Sequence, residues 1–231
     1  MSTISGESVG EPLPRLGLFI TFEGPDGSGK STQARLLAER LRCEGHAVFE
    51  TVEPGGTPIG RQIRRILLDP ENKEMRPLTE LLLMFAARAQ NVEQSVLPAL
   101  AEGKIVVSDR FTDSSIAYQG VGHGLGAKTV LEVDRIACRG LAPDLTICID
   151  IDTETGLKRA RGRNQDHEMR YEQQGADFHQ RVRAAYHELA RRDPGRFRLI
   201  DGNGSPESIA GEVWEEVAGV VSERFAKARP H

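Results

Sequence analysis

The sequence predicts an α/β fold with a central parallel β-sheet of about five strands and helices on both faces. Short apolar runs rich in Val, Ile, Leu and Phe alternate with stretches of helical periodicity, which is the pattern of a buried parallel sheet. The chain has 231 residues, of which 39% are hydrophobic, so it can bury a core without disulfide or metal cross-links. No internal repeat or linker divides it, and we expect one domain over residues 16–228.

Five apolar runs are predicted strands. In chain order they cover residues 16–23, 47–51, 104–108, 145–149 and 197–200. A glycine-rich turn follows the first run, and a Pro/Gly loop at residues 53–57 follows the second. Residues of these kinds are typical of the turns and loops that follow strands.

The stretches between these runs predict helices. The first begins at Ser31, places Leu36, Leu37 and Leu41 on one side, and ends at Gly45. Further helices are predicted over residues 58–68, 78–101, 128–139, from about 153, over 178–191 and from the turn at 201–205 to about 227. Pro98 predicts a kink in the long helix, because proline lacks the N–H group that the helix needs. A glycine-rich loop is predicted at residues 120–126.

Composition excludes several classes of protein. Lys and Arg total 30 against 34 Asp and Glu, so the net charge of −4 does not favour a sequence-independent nucleic-acid binder. Three cysteines without a CxxC pair argue against a disulfide scaffold or a zinc site and favour a reducing compartment. Neither a membrane-spanning apolar run nor a signal peptide is present, so we expect a cytoplasmic protein. Residues 1–15, poor in large apolar groups, predict a flexible tail.

The most specific signal is GPDGSGKS at residues 24–31, which matches GxxxxGK[ST] between an apolar strand and an amphipathic helix. Glycines let successive N–H groups turn toward phosphate oxygens, and the helix N-terminus adds positive potential. Lys30 can reach the outer phosphates, and the Ser31 hydroxyl can bind Mg²⁺. A chance glycine turn is the alternative. The residues expected to bind ATP are Gly24, Pro25, Asp26, Gly27, Ser28, Gly29, Lys30, Ser31 and Thr32.

The acceptor of the phosphate must be sought in the loops after the other strands, since ligands of such sheets gather at the carboxyl ends of the strands. Glu53 follows the second predicted strand, and Asp109 and Arg110 follow the third, with Ser114, Ser115 and Tyr118 shortly after. An arginine beside an aromatic side chain suits a phosphate that is attached to a flat base.

Arginines are concentrated at residues 159–172, which predicts a lid over the transferring phosphate. Arg159, Arg161 and Arg163 would neutralise charge in the transition state, and closure would exclude water. The alternative is a solvated basic face of a helix. A phosphate acceptor is already anionic, so catalysis reduces to positioning and charge stabilisation and requires no histidine.

Seven segments in this order resemble the bacterial thymidylate kinase family. They are FEGPDGSGKST, EPGGT, LLLMFAARAQ, DRFTDSSIAYQG, APDLTICIDI, GLKRARGR and RYEQQ. The resemblance covers nearly all of the chain after the tail. It implies a P-loop NTPase fold, the reaction ATP + dTMP → ADP + dTDP in dTTP biosynthesis, Mg²⁺-dependent in-line transfer with lid closure, and a homodimer.

The resemblance also implies residue roles. Lys30, Asp109 and Arg110 would be catalytic. Because the phosphate loop itself holds no arginine, the catalytic arginine would come from the lid, which has Arg159, Arg161 and Arg163. Ser31 and Asp109 would serve the metal. Phe85 (or Met84, one residue earlier) and Arg88 would stack on and hydrogen-bond the thymine. Asp26, Glu53, Ser114, Ser115, Tyr118 and Tyr171 would complete the acceptor pocket, with Asp26 near the sugar 3′-hydroxyl or the metal.

Each of these residues also has a structural interpretation. Phe85 lies in an apolar helical stripe of the kind that usually forms core, and Arg88 can be a surface charge of a helix. Glu53 can cap a turn, and Tyr118 can be a packed ring.

At three positions the chain departs from the family pattern. Val52 and His123 stand where arginines are usual, and Met169 stands where an acid is usual. Two alternative functions therefore stay open. One is a P-loop kinase for another pyrimidine nucleotide or for a deoxynucleoside, and the other is a catalytically weak ATP-binding module.

Overall fold

The structure, a computed structural model, describes residues 15–163, 170–171 and 173–226. Its sheet confirms the α/β fold with five parallel strands. The strands are β1 (Leu18–Glu23), β2 (Val48–Val52), β3 (Ile105–Asp109), β4 (Leu145–Asp150) and β5 (Phe197–Asp201). They are ordered β2-β3-β1-β4-β5, which puts β1 at the centre. The predicted tail lies almost wholly outside the described residues.

Helices connect the strands and cover the sheet. The α-helices are α1 (Lys30–Cys43), α2 (Pro58–Leu68), α3 (Pro77–Asn91), α4 (Leu97–Ala101), α5 (Thr112–Ser115), α6 (Ala127–Ala137), α7 (Thr153–Arg163), α8 (Ala176–Arg192) and α9 (Pro206–Ala226). Two π-helical turns, Val92–Val96 and Ile116–Gly122, extend α3 and α5.

Strand register brings the carboxyl ends of the strands to one edge of the sheet. Asp109 of β3 pairs with Phe22 of β1 and with Val52 of β2, and Glu23 of β1 pairs with Cys148 of β4. Loops that leave these ends therefore start side by side, as expected of ligand sites on open parallel sheets.

Both faces of the central strand are buried. Alternating residues of β1 point to opposite faces, so Leu18 and Ile20 contribute to a core cluster with α1 and α9, whereas Phe19 contributes to one with α3 and α6. A third cluster, around Tyr186 of α8, lies next to the acceptor-side residues. All six residues of β1 are buried, which explains why four of them are large and apolar.

Several strand and helix ends lie one or two residues from their predicted positions, and α5 was not predicted. Three further differences concern the predicted elements themselves. The first strand begins at Leu18 because Leu16 is exposed. Pro98 lies in the first turn of α4, directly after the π-helical turn, so the long α-helix predicted over residues 78–101 is divided into α3, this turn and α4. The predicted loop at 120–126 is partly helical, since the π-helical turn extends to Gly122. Among the helices of the described ranges, none has the length and apolar character needed to cross a membrane.

Candidate active site

The loop between β1 and α1 has three glycines with positive φ, and at two of them an added side chain would also clash. Gly24 has a φ of 134° and Gly27 a φ of 79°. A Cβ atom at Gly24 would lie 2.3 Å from the carbonyl oxygen of Ile149, and one at Gly27 would lie 1.9 Å from that of Gly156. The loop therefore packs tightly against β4 and α7 and leads into α1, whose N-terminus carries partial positive charge.

Lys30, the first residue of α1, extends its ammonium group back over this loop. Nζ donates a hydrogen bond to the carbonyl oxygen of Pro25 at 3.2 Å and lies 3.8 Å from Oδ1 of Asp26. Burial, reinforced by the nearby Arg110 guanidinium, lowers the pKa of Lys30 to about 8. A bound anion would favour the charged ammonium group, so the loop and Lys30 together suit a polyphosphate.

A cavity of about 620 Å³ opens beside this loop. Five of its lining residues are cationic, namely Lys30, Arg61, Arg64, Arg65 and Arg110. The others are Asp26, Gly27, Ser31, Val52, Glu53, Gly55, Asp109 and Ala160. The excess of five cationic over three acidic side chains favours a polyanionic ligand, and we call this space the donor cavity.

Asp109 and Ser31 offer oxygen ligands to the donor cavity. Oδ1 of Asp109 is buried and has no hydrogen-bond partner among the described residues. A buried carboxylate oxygen without a donor suits a hard cation, as does a hydroxyl group. Within the described ranges, no group of three or more His, Cys, Asp or Glu side chains is arranged so that it could hold a metal ion by itself. The pair therefore fits Mg²⁺ that is held jointly with nucleotide phosphates, which is how this ion usually binds.

A second cavity, of about 150 Å³, adjoins the first and shares Asp26, Glu53, Arg64 and Arg110 with it. We call it the acceptor cavity. It brings together eight residues that the sequence assigned to the acceptor side, namely Asp26, Glu53, Arg88, Arg110, Ser114, Ser115, Tyr118 and Tyr171. Pro54, Arg64, Leu68, Met84 and Gln119 complete its lining.

Arg110 stands at the boundary of the two cavities. Its φ of 73° is unusual for a residue with a side chain, and its N–H group donates to the carbonyl oxygen of Phe22 at 2.9 Å. The guanidinium group donates to Oδ1 of Asp26 at 2.5 Å and to Oγ of Ser114 at 2.8 Å. Strained backbone of this kind is typical of functional sites, and here it aims a cationic fork at both cavities.

Tyr118 and Asp26 form the next contact. The Tyr118 hydroxyl donates to Oδ2 of Asp26 at 2.8 Å, and the ring centroid lies 5.0 Å from the guanidinium carbon of Arg110. Burial and the Asp26 charge raise the pKa of Tyr118 well above its ordinary value. Burial opposes ionisation of Asp26, but Arg110 and Lys30 outweigh it and lower the pKa of this carboxyl. At neutral pH a carboxylate therefore lies between two cations.

Glu23, the last residue of β1, is a hydrogen-bond acceptor for Ser114. It is fully buried, accepts a hydrogen bond from the N–H group of Phe111 at 2.8 Å, and accepts others from the hydroxyls of Ser114 and Tyr186. Burial, reinforced by the Asp113 carboxylate, raises the pKa of Glu23 to about 7.

Glu53 and Arg88 form a buried ion pair between Nε and Oε2. Nδ2 of Asn91 donates to the other carboxylate oxygen at 3.0 Å, and Nη2 of Arg88 donates to the carbonyl oxygen of Phe111 at 3.0 Å. Arg88 is thus a buried residue at the cavity wall, and its interpretation as a surface charge was wrong.

Met84 lines the acceptor cavity, and Phe85, the other residue we considered for stacking, does not. Phe85 belongs to the core cluster that contains Phe19, and its ring centroid lies 4.5 Å from the guanidinium carbon of Arg88. Successive side chains of a helix point about 100° apart, so Phe85 faces the core whereas Met84 faces the cavity.

Two polar residues that line the acceptor cavity, Gln119 and Arg64, were assigned no role by the sequence analysis. Gln119 follows Tyr118 directly in the AYQG segment, and Arg64 lies on α2, which begins just after EPGGT. Their proximity to those motifs was the available signal.

The arginine-rich segment is described only in part. Arg159 and Arg161 lie on α7 with exposed side chains, and Nη1 of Arg159 donates to the carbonyl oxygen of Gly202 at 3.3 Å. Ala160 between them lines the donor cavity. The Arg163 side chain, residues 164–169 with Met169, and residue 172 lie outside the description.

The other two departures from the family pattern lie at the cavities or beside them. Val52 lines the donor cavity together with the three α2 arginines. Nε2 of His123 lies 3.2 Å from Oε1 of Glu80, a carboxylate that also contacts Gln119 and Tyr171.

Comparison with known proteins gives one family. A family model described as thymidylate kinase matches residues 22–213. The chain is 48% identical over 214 residues to a thymidylate kinase of Pelobacter propionicus, an alignment that covers 91% of this chain and 96% of the relative. It is 50% identical over 206 residues to one of Halothermothrix orenii, with 89% and 98% covered. Among solved structures, the thymidylate kinase from Ehrlichia chaffeensis matches with a TM-score of 0.71 at 33% identity, covering 87% of this chain and 98% of that one.

Proposed function

The chain belongs to the thymidylate kinase family, and from this premise we propose that it transfers the γ-phosphoryl group of ATP to dTMP, giving ADP and dTDP. The observation that carries the proposal is the position of Arg110 between two adjoining cavities, one cationic beside the phosphate loop and one lined by aromatic and hydroxyl side chains. Donor and acceptor phosphates would meet at this boundary.

On the donor side, the loop N–H groups and Lys30 would bind the phosphates of ATP, with residues 24–32 forming its site. The left-handed glycines and the buried ammonium group support this assignment. Ser31 and Asp109 would hold Mg²⁺ together with phosphate oxygens. When bound, this ion would neutralise charge on the transferring group.

On the acceptor side, Arg110 would hold the dTMP phosphate. Met84 and Tyr118 offer apolar and aromatic surfaces to the base, while Arg88, Ser114 and Ser115 offer hydrogen-bond donors. Glu53 fixes Arg88, and Asp26 fixes Arg110 and Tyr118. Tyr171 forms part of the wall.

The transfer itself needs no general base. An anionic oxygen of the dTMP phosphate forms a bond to the γ-phosphorus while the bond to the β–γ bridging oxygen breaks, and that oxygen leaves with ADP. Lys30, Arg110 and the lid arginines Arg159, Arg161 and Arg163 would stabilise the charge of the transition state. The position of Ala160 at the donor cavity supports this role for α7.

We also propose a homodimer. Six exposed large apolar residues lie on three helices, of which α3 contacts both α2 and α6. They are Ile59, Ile66, Leu78, Leu82, Leu131 and Ile136. Exposed apolar residues on helices that contact one another favour burial against a second copy. Unpaired thiols at Cys43, Cys138 and Cys148 support a cytoplasmic location, where thiols stay reduced.

The test is ADP release from Mg²⁺-ATP with dTMP, dUMP, UMP, CMP, AMP, GMP or thymidine as acceptor. We expect strong release with dTMP. Lys30→Ala should lower kcat by about 100-fold or more, whereas Lys104→Ala, at an exposed ion pair with Glu102, should not change it. A response to thymidine and not to dTMP would identify a deoxynucleoside kinase. A flat panel with intact ATP binding would identify a binding module.

A further inference from the structure

Glu80 of α3 is a buried carboxylate at the meeting point of four segments, and only 1% of the residue is exposed. Its Oε1 accepts hydrogen bonds from the hydroxyl of Tyr171 at 2.7 Å and from Nε2 of Gln119 at 2.7 Å. Its Oε2 pairs with Arg170, whose Nε donates to the carbonyl oxygen of Leu67 in α2 at 2.6 Å. The Glu80 carboxylate thus links α3 to the π-helical turn Ile116–Gly122 and to residues 170–171, and Arg170 extends the link to α2.

Two of the residues that contact Glu80 form part of the wall of the acceptor cavity. Gln119 and Tyr171 both line it, whereas Glu80 is not among the described residues that do. Nε2 of Gln119 also lies 3.1 Å from the Tyr171 hydroxyl, so the two wall residues are fixed to each other and to one carboxylate oxygen. An ionised carboxylate only accepts hydrogen bonds. The Gln119 amide must therefore point its NH₂ group, and Tyr171 its hydroxyl hydrogen, toward Glu80.

A chain of contacts leads from Tyr171 toward the phosphate loop. The Tyr171 ring meets the Tyr118 ring edge-on with centroids 5.5 Å apart, and the Tyr118 hydroxyl donates to Asp26. A displaced Tyr171 would therefore disturb the wall of the acceptor cavity before it reached Lys30 or Ser31. The donor cavity includes none of Glu80, Gln119 and Tyr171 among its described lining residues.

From this geometry we propose that Glu80 is a positioning residue for the acceptor nucleotide, which it orders through Tyr171 and Gln119 without touching it. The inference rests on the proposed function, because it identifies the ligand of this cavity as dTMP. The charge of Glu80 is required, since Arg170 is buried and has no second carboxylate within reach among its described contacts.

The first test is Glu80→Gln, which preserves shape and one acceptor oxygen but removes the charge. We expect the KM for dTMP to rise about tenfold, with the KM for ATP and kcat each changed by less than roughly threefold. Glu80→Asp, which keeps the charge on a shorter stem, should recover part of the loss. The matched control is Asp144→Asn, which removes a carboxylate paired with Arg224 and bonded to the N–H group of Phe19. It should leave both KM values unchanged.

Equal changes in both KM values, or none in the KM for dTMP, would overturn the proposal. Should Glu80→Gln fail to fold, Tyr171→Phe tests the proposal instead. It keeps the ring and removes only the hydroxyl, which bonds both Glu80 and Gln119. An unchanged KM for dTMP in that variant would likewise contradict a positioning role. Failure of the proposed function is separate, since the unmodified enzyme would then release no ADP in response to dTMP.

Discussion

Nη2 of Arg110 donates to Oδ1 of Asp26 at 2.5 Å, joining the end of β3 to the phosphate loop. The contact sits where donor and acceptor cavities adjoin. It keeps a cationic fork in place without substrate, so little reorganisation is needed when an acceptor phosphate arrives. Prearranged charge of this kind is the main way in which proteins accelerate phosphoryl transfer.

Arg110→Lys tests whether the fork, and not only its charge, is needed. A lysine presents its donors from a single nitrogen, so it cannot reproduce the planar fork that reaches Ser114 through Nη1 and Asp26 through Nη2. We expect kcat/KM for dTMP to fall by about 100-fold, measured by ADP release. Arg35→Lys, at an exposed ion pair with Glu39, is the control and should have no effect. Activity of Arg110→Lys near that of the control would show that charge alone suffices.

Arg88 and Glu53 allow binding to be separated from stability. Burial disfavours the charged form of Arg88, but the Glu53 carboxylate outweighs this and raises the arginine pKa. Arg88→Met leaves Glu53 buried without a cation, so we expect a loss of about 3 kcal/mol in the free energy of unfolding and a melting temperature lower by about 10 °C. Dye-monitored or calorimetric melting would measure it.

Adding Glu53→Gln to Arg88→Met removes the unpaired charge. The double variant should recover most of the melting temperature while its KM for dTMP stays high, because the guanidinium donor at the cavity is still missing. If dTMP binding returned along with stability, Arg88 would be a structural residue only.

The parts of the fold that could be predicted are those with a local signal. Strands buried on both faces and the amphipathic helix 58–68 follow directly from residue pattern, and α2 has these bounds in the structure. Residues 112–122 gave no such signal, because nearly all of their side chains are buried and no polar face reveals the helical period.

The site was predictable where short motifs carry it and unpredictable where distant residues converge. The loop at 24–31 and the Asp109–Arg110 pair stand in named segments, and the donor cavity is lined by both members of the pair and by Asp26, Gly27, Lys30 and Ser31 of the loop. Glu80 was missed because its contacts with Gln119 and Tyr171 span 39 and 91 residues of sequence. The choice between Met84 and Phe85 required the rotation of α3, which packing fixes.

Glu80 also predicts a dependence of stability on pH. Burial opposes its ionisation, but contacts with His123 and Arg170 outweigh it and lower the pKa from 4.5 to about 2. The folded state therefore binds fewer protons than the unfolded state between these values. The contribution of Glu80 is complete above about pH 5 and is lost as the pH falls toward 2.

Urea unfolding of the unmodified enzyme and of Glu80→Gln at several pH values isolates this effect. The difference between their free energies of unfolding should be largest near neutral pH and shrink steadily as the solution is acidified, because glutamine does not titrate there. A difference that stayed constant from pH 6 to pH 3 would mean that the Glu80 charge does not stabilise the fold.

The exposed apolar side chains of α3 predict where two copies meet. Leu78 and Leu82 lie one turn apart on the same side of the helix, with 50% and 51% of their surfaces exposed. Leu82→Glu would place a carboxylate inside the proposed interface, so the variant should run as a monomer in light scattering after size-exclusion chromatography. Leu199→Glu, at an exposed position of β5, should remain dimeric. A Leu82→Glu dimer would exclude this face, because an unpaired buried charge is not tolerated at the centre of an apolar contact.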